Sequence, residues 1–265
     1  MTTAWVTSFS NDLYLATGKS LLESYAASGS CGKLYVYPES VPTMPIPEGS
    51  PVEIMSDPGK YPELATFVEA NKKIIHKDFG GAWTGPCKCP NPNDSKDKRH
   101  VAGCPNSWFC KHAIRWFRKV LSLHNFVTSC SDEFSRFIWL DSDVLFKKEI
   151  TEELVTSWFN SSSVFFLKGP KRKVWETGIL GMHDAPGKSF IVKTFEYYMS
   201  GGFREQPRWD DGFIFQKVAE RDKALNKLDL ATDASGHSDV APHSPLGAYL
   251  THNKGTHGRG LGIMK

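Results

Sequence analysis

The chain has 265 residues, enough for one large α/β domain with a substantial core. Hydrophobic residues make up 40% and charged residues 23%, an ordinary balance for a globular protein. No segment approaches the roughly 18 apolar residues of a membrane span, and the formal net charge of +3 is too small to indicate nucleic-acid binding by itself. Residues 1–9 contain neither a basic leader nor an uninterrupted apolar run. We therefore expect no signal peptide and a cytoplasmic location.

The amino-terminal part alternates between strand and helix patterns. The order strand, helix, strand is typical of the start of a right-handed parallel unit. Pro62 suits the first turn of a further helix, because its missing N–H is not needed there. In chain order the predicted elements are a strand over 4–9, a helix over 12–27, a strand over 33–37, a proline-rich connection over 38–51 and a helix over 62–75.

A long irregular loop is predicted over 77–106, and it contains three of the chain's cysteines. The six cysteines are at positions 31, 87, 89, 104, 110 and 130. Disulfides are rare in cytosolic proteins of this length, so we expect reduced thiols. The alternative is a structural Zn²⁺ held by Cys87, Cys89, Cys104 and Cys110. The spacing of these four differs from the common Cys-x-x-Cys knuckles, which disfavours zinc.

The strongest signal is segment 136–146, which reads Arg-Phe-Ile-Trp-Leu-Asp-Ser-Asp-Val-Leu-Phe and follows a helix predicted over 106–126. Its apolar run predicts a buried strand that ends at Asp141 and Asp143. Burying a carboxylate costs several kcal/mol unless a cation neutralises it. Hard oxygen ligands suit Mg²⁺ or Mn²⁺, so the pair predicts a metal site facing a phosphate leaving group. The alternative is an Asx-turn that caps the following segment.

Further strand and helix patterns follow the acidic motif. Gly178 and Gly181 lie inside a predicted strand, where glycine costs stability and indicates close approach of a ligand or another backbone. A basic run, 168–173, precedes that strand, and a second acidic pair, 210–211, begins the last predicted helix. The predicted elements are a helix over 149–158, strands over 163–167 and 175–183, a helix over 188–200 and an apolar helix beginning at 211.

The order of these motifs resembles metal-dependent, nucleotide-sugar glycosyltransferases of the GT-A fold that carry an Asp-x-Asp signature, including viral (phage) and bacterial members. In that group a basic helix residue precedes a Trp-Leu-Asp-x-Asp strand, a Glu-Thr-Gly segment and a Trp-(His or Asp)-Asp turn. Here Asp210 stands where many relatives carry His. The corresponding positions of this chain are Lys119, Trp139 to Asp143, Glu176 to Gly178, and Trp209 to Asp211.

The resemblance implies an α/β, Rossmann-like GT-A domain with a mixed central sheet. We expect one catalytic domain over 1–265. Within it, 1–145 is the nucleotide-sugar-binding half, 146–246 the acceptor half and 247–265 a carboxyl-terminal tail or lid.

The resemblance also implies the activity: transfer of a hexose or pentose from a UDP- or GDP-sugar to an acceptor hydroxyl, assisted by Mn²⁺ or Mg²⁺. The expected metal ligands are Asp141, Asp143 and His252. The expected catalytic groups are Asp211, as general base or acceptor-orienting carboxylate, and Glu176, which contacts sugar hydroxyls. The expected donor contacts are Thr7, Ser8 and Tyr14 at the base, Lys119 and Lys254 at the phosphates, and Asp141 at the ribose. Trp175 and Trp209 are candidates either for stacking on a sugar or for the core.

The acceptor and the enzyme class leave alternatives open. A glycan, a small molecule, a protein or a hydroxymethylated base in DNA fits as acceptor, with the basic run 168–173 bordering a polyanion; in a viral setting the location is the host cytoplasm. A nucleotidyltransferase or metal-dependent phosphohydrolase also uses paired Asp on a strand. Such enzymes usually carry a glycine-rich loop near the first strand, which segment 8–11 lacks. A non-enzymatic binding module would not need the second acidic pair.

Overall fold

The computed structural model describes residues 2–41, 44–46, 48–71, 112–130, 133–234 and 239–253. Several predicted features lie outside the described residues: the loop over 77–106 with its cysteines, the ends of the helices predicted over 62–75 and 106–126, and the tail from Lys254 onward. Across the described ranges, no helix is both long and apolar enough to cross a membrane.

The described residues form a mixed sheet of seven strands and a separate strand pair. The strands are β1 Thr3–Ser10, β2 Lys33–Glu39, β3 Val52–Ile54, β4 Arg136–Leu140, β5 Val144–Phe146, β6 Val164–Leu167, β7 Glu176–His183, β8 Lys227–Asp229 and β9 Leu250–His252. The order in the large sheet is β3-β2-β1-β4-β7-β6-β8, and β5 pairs with β9. β1 runs parallel to β2 and β4, whereas β7 is antiparallel to β4 and β6. The predicted mixed α/β architecture is confirmed.

The helices are α1 Lys19–Ser28, α2 Pro62–Asn71, α3 Ala113–Ser129, α4 Glu152–Phe159, α5 Asp184–Met199 and α6 Asp211–Arg221. The helix predicted over 12–27 is helical throughout, but its hydrogen-bonding pattern changes: α-helical Asn11–Leu13 passes into a π-helix, Tyr14–Gly18, and then into α1. Such π segments occur frequently at functional sites. α1 ends at Gly29, whose φ of 67° favours a residue without Cβ.

The described residues group into two compact units, and the first is formed by the described parts of Met1–Asp57, Cys130–Lys188 and Leu225–Lys265. Its core is built from buried apolar side chains of the large sheet and of α1 and α4. All five residues of β4 are buried. An unpaired charge is costly inside the apolar run 137–140, so the acids follow it. The one charged residue of β4, Arg136, is at its start, 3.5 Å from a carboxylate oxygen of Glu152. The core of this unit therefore places Asp141 and Asp143 at the carboxyl edge of β4.

The second unit comprises Pro58–Ser129 and Ser189–Ala224, and aromatic rings fill its core. Phe67 stacks on Phe117 with ring centroids 4.0 Å apart. Trp209 packs edge-on against Phe203 at 5.4 Å, and its indole N–H donates to the Gln206 carbonyl at 3.1 Å. Of the two roles considered for Trp209, the structure shows the core role, since only 3% of the residue is exposed.

The glycines of β7 are approached by side chains, not by another backbone. A Cβ on Gly181 would overlap the ring of Phe165. Trp175, which immediately precedes β7, stacks on Phe166 at 3.9 Å and is also buried. The glycines therefore let large side chains pack directly on the strand.

Candidate metal and active site

The turn after β4 is anchored from two sides. The backbone N–H of Asp141 donates to the Gly178 carbonyl at 2.8 Å, which extends the contact between β4 and β7 by one residue. The indole N–H of Trp139 donates to Oδ1 of Asp141 at 2.7 Å. This bond leaves the second carboxylate oxygen to other partners and fixes the orientation of the group.

His252 reaches this turn through the small strand pair. In the antiparallel register of β5 and β9, Val144 lies opposite His252. The Asn253 N–H donates to the Asp143 carbonyl at 3.0 Å, which ties the end of β9 to the acidic turn. His252 Nε2 lies 3.3 Å from Asp143 Oδ1, and both side chains are buried. The structure thus brings together residues 109 positions apart in sequence.

Asp141, Asp143 and His252 each offer one ligand atom, and these atoms all lie within 4.8 Å of one another. With bonds of about 2.0–2.1 Å, opposite ligands of Mg²⁺ are about 4 Å apart, so the cluster is close to the size one cation requires. His252 Nδ1 is buried and has no hydrogen-bond partner among the described residues. The two carboxylates suit Mn²⁺ or Mg²⁺, and the imidazole nitrogen, a ligand of transition metals, favours Mn²⁺ of the two. These residues therefore fit the divalent cation that the sequence predicts.

The acids around His252 determine its protonation. Burial lowers the pKa of His252, but the hydrogen bond to Asp143 and the charges of Asp143, Asp141 and Asp239 outweigh burial and leave the pKa above its usual value. The nearby carboxylates therefore stabilise the protonated imidazole relative to that of an isolated histidine. The group of acids favours positive charge at this position, whether a proton or a metal supplies it.

The three residues predicted to contact the base lie on β1 and the π-helix. Thr7 Oγ1 is buried and has no hydrogen-bond partner among the described residues. The Ser8 hydroxyl donates to Glu39 Oε1 at 2.5 Å, so β2 already engages it. Tyr14 stacks on Phe9 at 5.7 Å and lines a groove of about 340 Å³ together with Lys19, Leu22, Glu23, Pro45 and Ile46.

Glu176, the predicted sugar contact, is buried at the start of β7. Arg172 Nη2 lies 3.1 Å from Glu176 Oε2, and the Gly178 N–H donates to Oε1 at 3.3 Å. The carboxylate is therefore held in one orientation by a cation and a backbone amide. One charge of the basic run is paired with Glu176 and is not available to a polyanionic acceptor.

The second unit contains the remaining predicted residues, Lys119 on α3 and Asp211 at the first position of α6. Lys119 Nζ lies 2.7 Å from Asp211 Oδ2, with side-chain exposures of 7% and 10%. A carboxylate in the first helical turn also interacts favourably with the helix dipole. The structure thus pairs two residues to which the sequence assigned separate contacts, one with phosphate and one with the acceptor.

Asp210 forms a second ion pair beside the first. Arg208 Nε and Nη2 donate to its two carboxylate oxygens at 2.8 and 2.9 Å, a bidentate arrangement. Burial and the charge of Asp211 raise the pKa of Asp210, while Arg208 opposes the shift. Tyr198 donates its hydroxyl to the Trp209 carbonyl at 2.8 Å, so the backbone of the turn is held as well.

One contact of the acidic turn had no sequence signal. The Thr17 hydroxyl, on the π-helix, donates to the Ser142 hydroxyl at 3.1 Å, across 125 positions of sequence. Nothing in the sequence around a threonine inside a predicted helix predicts a hydrogen bond to a residue so distant in the chain. Lys254, the other predicted phosphate contact, lies outside the described residues.

Comparisons with known proteins identify the fold. The crystal structure of mouse xyloside xylosyltransferase 1, in its apo form, matches with a TM-score of 0.50 and 10% sequence identity, covering 87% of this chain and 85% of that one. This likeness confirms the predicted GT-A, Rossmann-like fold. It gives no support to the viral and bacterial part of the resemblance. A scan against protein-family models finds no match. A search of curated proteins finds none either.

Proposed function

We propose that this protein is a metal-dependent glycosyltransferase that moves a sugar from a UDP- or GDP-sugar to an acceptor hydroxyl. The single observation that carries the proposal is the convergence of Asp141, Asp143 and His252, within 4.8 Å, at the end of the central strand of a GT-A-like sheet. The solved neighbour is a xylosyltransferase, which supports sugar transfer, with either a hexose or a pentose as the group moved.

In this proposal Asp143 and His252 ligate Mn²⁺ or Mg²⁺ directly, and Asp141 contributes either as a third ligand or through the ribose. The bound cation would supply positive charge to the departing nucleoside diphosphate. The chain's own contribution is rigidity: Trp139 and the Gly178 carbonyl hold Asp141, while the β5–β9 pairing holds His252. Preorganised groups stabilise developing charge without reorganising during the reaction.

Donor recognition is assigned to the end of β1 and the π-helix. Thr7 has a buried hydroxyl to offer, and Tyr14 presents an aromatic ring beside a groove suited to a nucleoside. Ser8 donates to Glu39 and is proposed to accept a hydrogen bond from the base through its hydroxyl oxygen. Glu176, held by Arg172, is proposed to accept hydrogen bonds from sugar hydroxyls. Lys254 remains a proposed phosphate contact.

Asp211 is proposed as the general base in an inverting reaction, or as the carboxylate that orients the acceptor in a retaining one. The Lys119 ammonium, 2.7 Å from Asp211 Oδ2, holds the carboxylate in the orientation that this role requires. Lys119 is proposed to hold Asp211 in place and remains a proposed contact of the pyrophosphate. The acceptor is proposed to be a glycan, a small molecule or a modified base in DNA.

The proposal is tested by a thermal-shift panel of UDP, GDP and their sugars, with and without Mn²⁺, on wild type and Asp143→Ala. We expect one nucleotide series to stabilise the wild type only when Mn²⁺ is present, because ligands that bind the native state raise its melting temperature. The Asp143→Ala variant should lose that shift. Metal-independent shifts of equal size in both proteins would contradict the assignment of the metal site.

A further inference from the structure

Gly178, in the Glu-Thr-Gly segment of β7, occupies a position where a side chain would meet His252. The three atoms nearest to a Cβ built on Gly178 are all in the imidazole ring, and the farthest of them, Nδ1, would be 2.9 Å away. Carbon atoms in favourable contact are about 3.5–4.0 Å apart. Any side chain at position 178 therefore requires the imidazole to move.

The imidazole has little freedom to move aside. β9 is fixed by its pairing with β5, and the next residue, Asn253, is bonded to the Asp143 carbonyl. The ring is buried and lies 3.3 Å from Asp143 Oδ1. A displacement away from Gly178 must therefore change the distance between His252 and the acidic turn.

The same glycine also holds the other side of the turn. Its carbonyl accepts the Asp141 N–H at 2.8 Å. Gly178 thus contacts the backbone of one proposed ligand and the ring of another. Its φ is not in the left-handed region, so alanine would meet no backbone strain here, and its effect would be steric.

We propose that Gly178 is a positioning residue of the metal site: by having no side chain, it sets the His252 imidazole against Asp143. This inference rests on the proposed function, because the metal role of the triad is itself proposed there. Glycine inside a strand indicates that a ligand or another part of the chain comes close to it. At Gly178 the group that comes close is the His252 imidazole. The Gly178 carbonyl that accepts the Asp141 N–H is retained in any variant, so substitution at position 178 should act on metal affinity by displacing the His252 ring.

The test combines Gly178→Ala, His252→Ala and the double variant, each measured for Mn²⁺ affinity by calorimetry and for melting temperature. Gly178→Ala should weaken Mn²⁺ binding about 10- to 100-fold, the usual effect of disturbing a residue that supports a metal ligand. In the double variant the imidazole is gone and the alanine fits. Gly178→Ala should therefore change neither affinity nor melting temperature in the His252→Ala background.

Gly181→Ala is the matched control, because it adds the same methyl group to the same strand but overlaps Phe165 instead of His252. It should lower the melting temperature and leave Mn²⁺ affinity within about twofold. Normal Mn²⁺ affinity in Gly178→Ala, or additive effects in the double variant, would overturn the inference. If the wild type bound no Mn²⁺, the proposed function would fail. The melting temperatures would then still decide whether Gly178 makes room for His252.

Discussion

Lys119 Nζ and Asp211 Oδ2 lie 2.7 Å apart in a site where both side chains are almost completely buried. Removing one member of a buried pair leaves an uncompensated charge, which typically costs about 3–5 kcal/mol. Lys119→Met should therefore lower the free energy of unfolding by about that amount, measured by denaturant titration.

The control for this prediction is Lys217→Met on α6. Lys217 also forms an ion pair, with Glu220 at 2.7 Å, but their side chains are 34% and 48% exposed. Such a pair along a helix contributes about 0.2–0.5 kcal/mol, so this variant should be close to wild type. Equal losses in the two variants would show that burial does not strengthen the Lys119–Asp211 pair.

Asp211→Asn should reduce sugar transfer by about 10²-fold or more, the usual scale of general-base loss, while nucleotide affinity hardly changes. The single variant removes the carboxylate charge that faces Lys119, so the Lys119→Met, Asp211→Asn double variant, which removes both charges of the pair, is the comparison for stability. If transfer recovers in the double variant, the loss came from misfolding and not from chemistry. Parallel loss of nucleotide affinity would assign Asp211 to the donor site.

Asp143→Ala should abolish Mn²⁺-dependent nucleotide binding and leave the fold intact, because it removes a ligand and relieves carboxylate repulsion. Asp239→Asn is the matched control: Asp239 contributes to the charge around His252 but does not belong to the triad. Calorimetry should show Mn²⁺ binding in Asp239→Asn within a few-fold of wild type. Loss of Mn²⁺ binding in both variants would show that the total negative charge of this region attracts the ion, and not ligation by the triad.

Asp210 should give the protein a defined pH dependence. Its folded-state pKa is raised above the ordinary value of 3.8, so the native state holds the proton more tightly than the unfolded chain. The stability from this group is therefore full below 3.8 and is lost as pH rises through the raised pKa. Asp210→Asn has no proton to lose. Relative to wild type, its melting temperature should rise as the pH increases above about 4 through the raised pKa of Asp210; a constant difference would contradict the shift.

Two truncations distinguish the contribution of β9, which carries His252, from the contribution of the tail, which carries Lys254. Ending the chain after Asn253 keeps His252 but removes Lys254, so donor affinity should fall while Mn²⁺ affinity is retained. Ending it after Leu246 removes β9 as well and should abolish both. Isothermal titration calorimetry with Mn²⁺ alone measures the metal affinity, and a second titration with nucleotide measures the donor affinity. Unchanged donor affinity after the first truncation would remove Lys254 from the proposed contacts.

The sequence predicted the parts of the site that depend on a single strand. The apolar run before Asp141 required a buried strand, and burial required its acids to lie at the strand end. The sequence also pointed to His252, but only through the resemblance. Its strand, β9, has three residues and no alternating pattern, and its pairing with β5 depends on packing. β3 and β8 were not predicted, for the same reason of length.

Contacts between side chains that are far apart in the sequence could not be predicted from sequence patterns. Lys119 and Asp211 are each typical of a solvated helix position when seen alone, and only the folded second unit buries them together. Thr17 likewise gave no indication of its bond to Ser142. Gly178 was recognised as a point of close approach, but the approaching group could only be identified from the structure.

The most direct test of metal-dependent sugar transfer is ³¹P NMR of the purified protein with the stabilising nucleotide sugar, Mn²⁺ and a panel of acceptors, with Mn²⁺ chelated before the spectra are recorded. The account predicts release of the nucleoside diphosphate, dependent on Mn²⁺ and absent in Asp143→Ala, with the sugar recovered on the acceptor. Release of nucleoside monophosphate and sugar phosphate would instead identify a phosphohydrolase. That outcome would contradict the central claim.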